Sequence, residues 1–353
     1  MAEHPSNYGY LNARLRSMKS ELLPVGEVER MLHAGSVASL IRLLEDSPYG
    51  VAMTQSLTRF SGLRAIEEAL GRNLMASYRK LLSVATGQAR HLIELLLGRW
   101  DLYNIKTILR GIQAAAEPET LLEQVVPAGR LDVPALQELA RRSDINAVLD
   151  LLATWNVDYV QPLLLARQKV VSGDLFQLEY ELDTRYFEQS LGELHGNNEN
   201  HQEVRHVLET EIDITNIMTT LRTVHDGIDR EQGAQVLLEH GTFERAFLLE
   251  LLQCDQPVDI LERLERTRYA YAVEKGILFF GETGNISIIE KFLEEILIRR
   301  CAKKFYRGNP LGIALAIGYI WLKYNEFLNL RLIARGLAFG MPVNAIHEEL
   351  VLV

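Results

Sequence analysis

Apolar residues recur along this chain with the period of an α-helix almost throughout. Between Tyr8 and Leu23, the residues Leu11, Leu15, Met18 and Leu22 fall on one stripe. Arg14, Arg16 and Lys19 lie mostly off that stripe, and Pro24 predicts the stop. The text from Leu63 to Gly111 predicts one long helical zone with a break near Gly87. Ser287 and Glu290 have the spacing of a capping box and predict a helix running to about Tyr306. Asn309 followed by Pro310 predicts an N-cap and a first helical residue. The pattern then continues to about Ala338, roughly 42 Å of helix at 1.5 Å per residue. Strand-like alternation and Asn-Gly hairpins are missing from the text. The clearest flexible loop expected is Gly192 to His201, and the fold class is all-α.

Laid over this helical text is a motif that occurs three times: an acid, two residues, Asn and an aliphatic residue, then Arg five positions later. The copies are Asp101, Asn104, Ile105 and Arg110; Asp213, Asn216, Ile217 and Arg222; and Glu326, Asn329, Leu330 and Arg335. The intervals between Asn104, Asn216 and Asn329 differ by a single position, which predicts a triplicated chain. Gly26, Gly129 and Gly241 each open a short amphipathic segment, and the last two lie equally far past Asn104 and Asn216. Glu68, Glu181 and Glu290 form a weaker third series. The period exceeds the roughly 20–50 residues of known solenoid repeats, so each unit is closer to a small domain. The expected units are helical domains at 1–115, 116–228 and 229–353.

On a helix the acid, the Asn, the aliphatic residue and the position seven past the acid (Ile108, Thr220 or Ile333) share one face. The acid and Asn of each copy therefore lie among apolar residues. One reading is a hydrogen-bonded clamp on a neighbouring helix, because buried polar groups must find partners. The other is that one set of groups lines a surface that receives a partner. Arg110, Arg222 and Arg335 project about 180° away from the stripe and are the candidates for that surface.

Composition narrows the classes. A net charge of −10 argues against a general nucleic-acid binder. Cys254 and Cys301 stand apart with no CxxC, which suggests a reducing compartment and no disulfide framework. The opening residues lack the apolar core of a secretory signal. The longest uncharged stretch, Gly308 to Leu322, falls short of the roughly 20 residues that span a membrane. Phosphate-loop, GxGxxG and GxSxG patterns do not occur, and Gly276, Gly281 and Gly284 have the wrong spacing. His201 and His206 are five apart, and His347 has only Glu348 and Glu349 beside it, so no metal site is expected. Catalytic residues and cofactors are likewise not expected. Arg299, Arg300, Lys303, Lys304 and Arg307 concentrate positive charge on an acidic protein. They read either as cations favoured at a helix C-terminus or as a docking patch for an acidic partner or lipid headgroups.

The N-terminal residues Tyr8, Tyr10, Asn12, Ala13, Arg14, Arg16, Met18, Lys19, Leu22 and Leu23 resemble the opening signature of one family. That family is the C subunit of the V/A-type rotary ATPases, the counterpart of the d subunit of the eukaryotic vacuolar ATPase. Length, helical content and three homologous units agree with it. The resemblance implies a funnel of three helical domains about a pseudo-threefold axis with a central opening. It implies a non-catalytic rotor adaptor, one copy per complex, on the cytoplasmic side of the membrane. Its partners would be the central stalk and the membrane proteolipid ring, with no nucleic acid and no small-molecule substrate. A generic triplicated scaffold for cytosolic proteins is the alternative.

Overall fold

The computed structural model describes residues 7–155 and 175–353, and every regular element among them is a helix. In chain order these are α1 (Tyr8–Lys19), α2 (Val25–Leu32), α3 (Val37–Glu45), α4 (Gly50–Leu57), α5 (Gly62–Val84) and α6 (Gly87–Gln113). Next come α7 (Pro118–Leu122), α8 (Val133–Ala140), α9 (Ile145–Thr154), α10 (Leu175–Gly192), α11 (Glu199–His225) and α12 (Arg230–Gln235). The series closes with α13 (Arg245–Leu252), α14 (Pro257–Leu264), α15 (Ala270–Thr283), α16 (Ser287–Arg307), α17 (Ala314–Ala338) and α18 (Val343–Glu349).

The helix boundaries carry the repeat more fully than the motif does. Helices α6, α11 and α17, which hold the three copies, end at Gln113, His225 and Ala338, the same intervals as the motif asparagines. The short helices that follow them start at Pro118, Arg230 and Val343 and keep those intervals. Helices α13, α14 and α15, starting at Arg245, Pro257 and Ala270, repeat the starts of α2, α3 and α4 at Val25, Val37 and Gly50 with one constant offset. Helices α8 and α9, starting at Val133 and Ile145, repeat α2 and α3 with another.

Two compact units result. One contains the described residues of 1–143 and 301–353, the other those of 144–300. In the first, α17 packs on α5 and also meets α1, α2 and α3. Trp100 is its aromatic centre, 5.4 Å from Tyr78, 6.1 Å from Trp321 and 5.3 Å edge-on to Tyr324. The Tyr78 hydroxyl is satisfied by donating to the Ile320 carbonyl at 2.8 Å. In the second unit Ile217, Leu221, Leu251, Leu261 and Leu293 are all buried in one cluster.

Several boundaries differ from the expectation. Helix α1 buries Leu11, Leu15 and Met18 but stops at Lys19, because the Leu23 N–H is drawn to Glu326. The zone break falls at Ala85 and Thr86, just before Gly87 with its φ of 53°. Helix α17 begins at Ala314 and not at Pro310. The Asn12 amide donates to the carbonyls of Pro310 and Gly312 at 2.7 and 3.0 Å, taking acceptors that a helix would need. Asn309 accepts from the Leu311 N–H at 2.9 Å, an Asx turn and not an N-cap. Ser287 is the first residue of α16, and the Glu290 carboxylate is bound by Arg222, so the expected capping box is absent there. The expected loop is shorter, between Gly192 and Glu199, and the Arg205 guanidinium and His201 ring bond the carbonyls of Leu194 and His195. Among the described residues, no helix is long and apolar enough to cross a membrane.

Candidate functional site: a buried clamp in three copies

Each motif asparagine makes the same pair of hydrogen bonds to the residue 22 positions later. Asn104 donates its amide to the Val126 carbonyl and accepts from the Val126 N–H, both at 2.7 Å. Asn216 does so with Leu238 at 2.9 and 2.8 Å. Asn329 does so with Val351 at 2.9 and 3.1 Å. The clamped backbone is an irregular segment after a short helix, not a neighbouring helix. Such a segment has no ladder to pair its peptide groups, and the side-chain amide supplies one donor and one acceptor in a single plane. Asp lacks the donor, which explains why the position is Asn. All three asparagines are buried, so these bonds are shielded from water.

The acids one turn earlier hold the next stretch of chain. Asp101 accepts from the N–H groups of Arg130 and Leu131 at 2.8 and 2.9 Å. Asp213 accepts from the Thr242 N–H at 2.7 Å, the Phe243 N–H at 3.4 Å and the Thr242 hydroxyl. Gly129 and Gly241 face these carboxylates so closely that a Cβ at either would collide with them. Gly26 has no such role: it lies within α2 with nothing within 4 Å of where a Cβ would stand.

Glu326 completes its shell from the opposite end of the sequence. It accepts from the Leu23 N–H, from the Tyr49 hydroxyl at 2.6 Å and from the Lys323 ammonium at 2.6 Å. Asp213 has a matching set, with Tyr269 donating at 2.9 Å and Arg268 at 2.6 Å. The two tyrosines sit in the same turn. Ser47 and Thr267 each bond a leucine carbonyl three residues back and accept from the tyrosine N–H two residues on. This turn has a sequence signal that pattern reading missed: Leu-Glu-x-hydroxyl-x-Tyr, at Leu44 to Tyr49 and again at Leu264 to Tyr269. Burial first, and the adjacent carboxylate second, raise the pKa of both tyrosines above the ordinary value, so each stays protonated and donating.

A further contact repeats with its partners exchanged. A Cβ on Gly111 would collide with Leu121, and one on Gly336 with Ile346, ten residues on in each case. In the second copy the glycine is the later residue, Gly233, and it faces Thr223. Close approach of the motif helix to the short helix after it is kept, whichever side gives up its side chain.

The arginines behave as individuals. Arg222 pairs with Glu290 and Arg335 with Glu67, at 2.7 and 2.6 Å, while Arg110 is exposed. The glutamate series does not share a role either: Glu68 pairs with Arg72, Glu181 accepts from Gln177 and Glu290 pairs with Arg222. In the basic cluster, Arg299 binds Glu295 and Arg300 donates to the Arg268 carbonyl. Lys303 and Arg307 are exposed and Lys304 is half-buried. No group of His, Cys, Asp and Glu among the described residues has the arrangement of a metal site.

Comparison with known proteins places this architecture. Residues 11–349 match the model of the ATP synthase (C/AC39) subunit family. The C subunit of the A-type ATP synthase from Methanococcoides burtonii is 31% identical, over 98% of this chain and 95% of that protein. Its counterpart from Methanosarcina acetivorans is 30% identical, over 99% and 94%. That from Haloferax volcanii is 29% identical, over 98% of both. The chain belongs to the ATP synthase (C/AC39) subunit family, the V/A-type family that its N-terminal signature resembles.

Proposed function

We propose that this chain is the non-catalytic rotor adaptor of a V/A-type ATPase or ATP synthase. It would link the central stalk to the membrane proteolipid ring, one copy per complex, peripheral to the membrane on its cytoplasmic side. The observation that carries this reading is the family match along residues 11–349, with relatives named as the C subunit of A-type ATP synthases matched over nearly their whole length. In this reading the repeats at 1–115, 116–228 and 229–353 are three domains of a funnel whose opening receives the stalk. A part that transmits torque must resist deformation. Long helices tied at each repeat to the following chain by buried hydrogen bonds favour such stiffness. Arg110, Arg222 and Arg335 are the proposed stalk-facing wall, and Lys303 with Arg307 the proposed docking face for an acidic partner or lipid headgroups.

The test is capture of two partners offered separately, the detergent-solubilised proteolipid ring and the central-stalk subunits. The adaptor captures both and hydrolyses no ATP by itself. Capture of neither by the folded protein would replace this reading with a generic helical scaffold. Charge reversal at Arg110, Arg222 and Arg335 together abolishes stalk capture if they form the wall. Unchanged capture removes them from it.

A further inference from the structure

A cavity of about 120 Å³ opens in the unit formed by residues 1–143 and 301–353. Its walls include Phe60, Val125, Pro127, Val133, Leu136 and Phe327, so they are largely apolar. Its charged groups are unevenly matched. Glu67 is taken by Arg335 and Glu68 by Arg72, both at 2.6 Å. Arg331 also lines the cavity, half-buried and with its guanidinium 5.6 Å from the Phe327 ring centre. Among the described residues, no carboxylate lies within ion-pair distance of it. Arg64 on the same cavity stacks on Phe60 at 4.6 Å and likewise lacks an ion-pair partner among them.

A cation drawn part-way out of water without a counter-charge is costly, and its forked donors are built to receive a planar anion. Burial, and then the neighbouring Arg335, lowers the Arg331 pKa from its ordinary value, although Tyr103, Tyr324 and Glu67 oppose the shift. The rim is acidic, with Glu119 and Glu123 exposed. Such a rim repels a polyanion such as a nucleotide but admits a single negative charge carried on an apolar body.

We infer that this cavity binds a monocarboxylate with an apolar or aromatic body, its carboxylate paired with Arg331 and its body between Phe60 and Phe327. The carboxylate has two sources of the same chemistry: an acidic side chain on a partner protein, or a free carboxylic acid. The site is independent of the rotor reading and can fail without it.

The probe is benzoate, titrated into the full-length protein and followed through the Arg331 guanidinium signals by NMR. Benzamide, the neutral counterpart, is the control. Saturable binding of benzoate is expected, with benzamide and inorganic phosphate at least tenfold weaker. Arg331→Gln weakens benzoate at least tenfold while leaving the thermal midpoint nearly unchanged. Arg331→Lys, which keeps the charge but loses the fork, falls between the two. If Arg331→Gln does not fold, the benzoate-to-benzamide ratio on the unaltered protein decides. Absent saturation, equal binding of benzamide, preference for phosphate, or indifference to Arg331→Gln each overturns the site. In the assembled native complex, loss of benzoate binding identifies a partner side chain as the occupant. Retained binding identifies a free acid.

Discussion

Asp213, in the 144–300 unit, takes its cation from Arg268, which precedes Tyr269 and is 35% exposed. Glu326, in the other unit, takes Lys323 from its own helix, and that side chain is only 3% exposed. Around Asp213 stand two N–H groups and two hydroxyls, from Thr242, Phe243 and Tyr269. Around Glu326 stand one N–H and one hydroxyl, from Leu23 and Tyr49. A buried carboxylate with many dipoles aimed at it needs its cation less. Where the dipoles are fewer, the cation must be close and dry. The same position in the repeat thus leans on four dipolar donors and a partly exposed cation in one unit, and on a buried ion pair in the other.

Removing the cation separates the two cases most widely. Lys323→Met leaves Glu326 buried and uncompensated and costs about 3–5 kcal/mol. Arg268→Met removes a partly exposed cation and leaves Asp213 its four dipolar donors, and costs about 1 kcal/mol. Chemical denaturation of the full chain measures both, and equal costs would remove the distinction. The asparagines should show the opposite, a shared effect. Asn104→Ala, Asn216→Ala and Asn329→Ala each strand one buried N–H, at about 1–3 kcal/mol. Asn216→Ala costs most because the Leu238 carbonyl is stranded too, whereas the Ala128 N–H still donates to the Val126 carbonyl and the Asn325 amide to that of Val351. Hydrogen exchange at Val126, Leu238 and Val351 then accelerates in the matching variant alone. A copy that does not respond is not a clamp. The smallest effect sharpens the exchanged glycine. Gly233→Leu overpacks the contact with Thr223 and costs about 1–3 kcal/mol. Adding Thr223→Gly rebuilds the arrangement of the other two copies. It recovers the loss to within about 1 kcal/mol, the ordinary cost of glycine inside a helix.

What could be read in the sequence follows from how far each contact reaches. Helical class and the Asn104, Asn216 and Asn329 series are periodic, so they show in the text. Gly129 and Gly241 are legible because each faces the acid of the motif copy that precedes it at a fixed interval. The tyrosine turn was equally legible, at Ser47 to Tyr49 and Thr267 to Tyr269, but its copies carry different charged neighbours and escape a search keyed to acid and Asn. The bond from Leu23 to Glu326 spans 303 residues and leaves no local pattern. The late start of α17 has the same origin, since it is set by Asn12 from the far end of the chain. The arginine pairs could not be read either, because a carboxylate on another helix captures Arg222 and Arg335 without any constraint on spacing.

The joining of Leu23 and Tyr49 to Glu326 also bears on synthesis at the ribosome. Residues 144–300 are contiguous, so the Asp213 clamp can close as soon as Tyr269 emerges. Helices α3 and α4 meet α5 as soon as it is made, but the faces that α1, α2, α3 and α5 turn to α17 have no neighbour at birth. At roughly 5–20 residues per second, they wait about 15–60 s for α17. For that interval the Leu23 N–H and the Tyr49 hydroxyl lack Glu326, their acceptor in the finished protein. A nascent chain halted before residue 314 would therefore carry a competent middle and a half-covered beginning, and should engage chaperones through the faces of α1, α2, α3 and α5 that α17 covers.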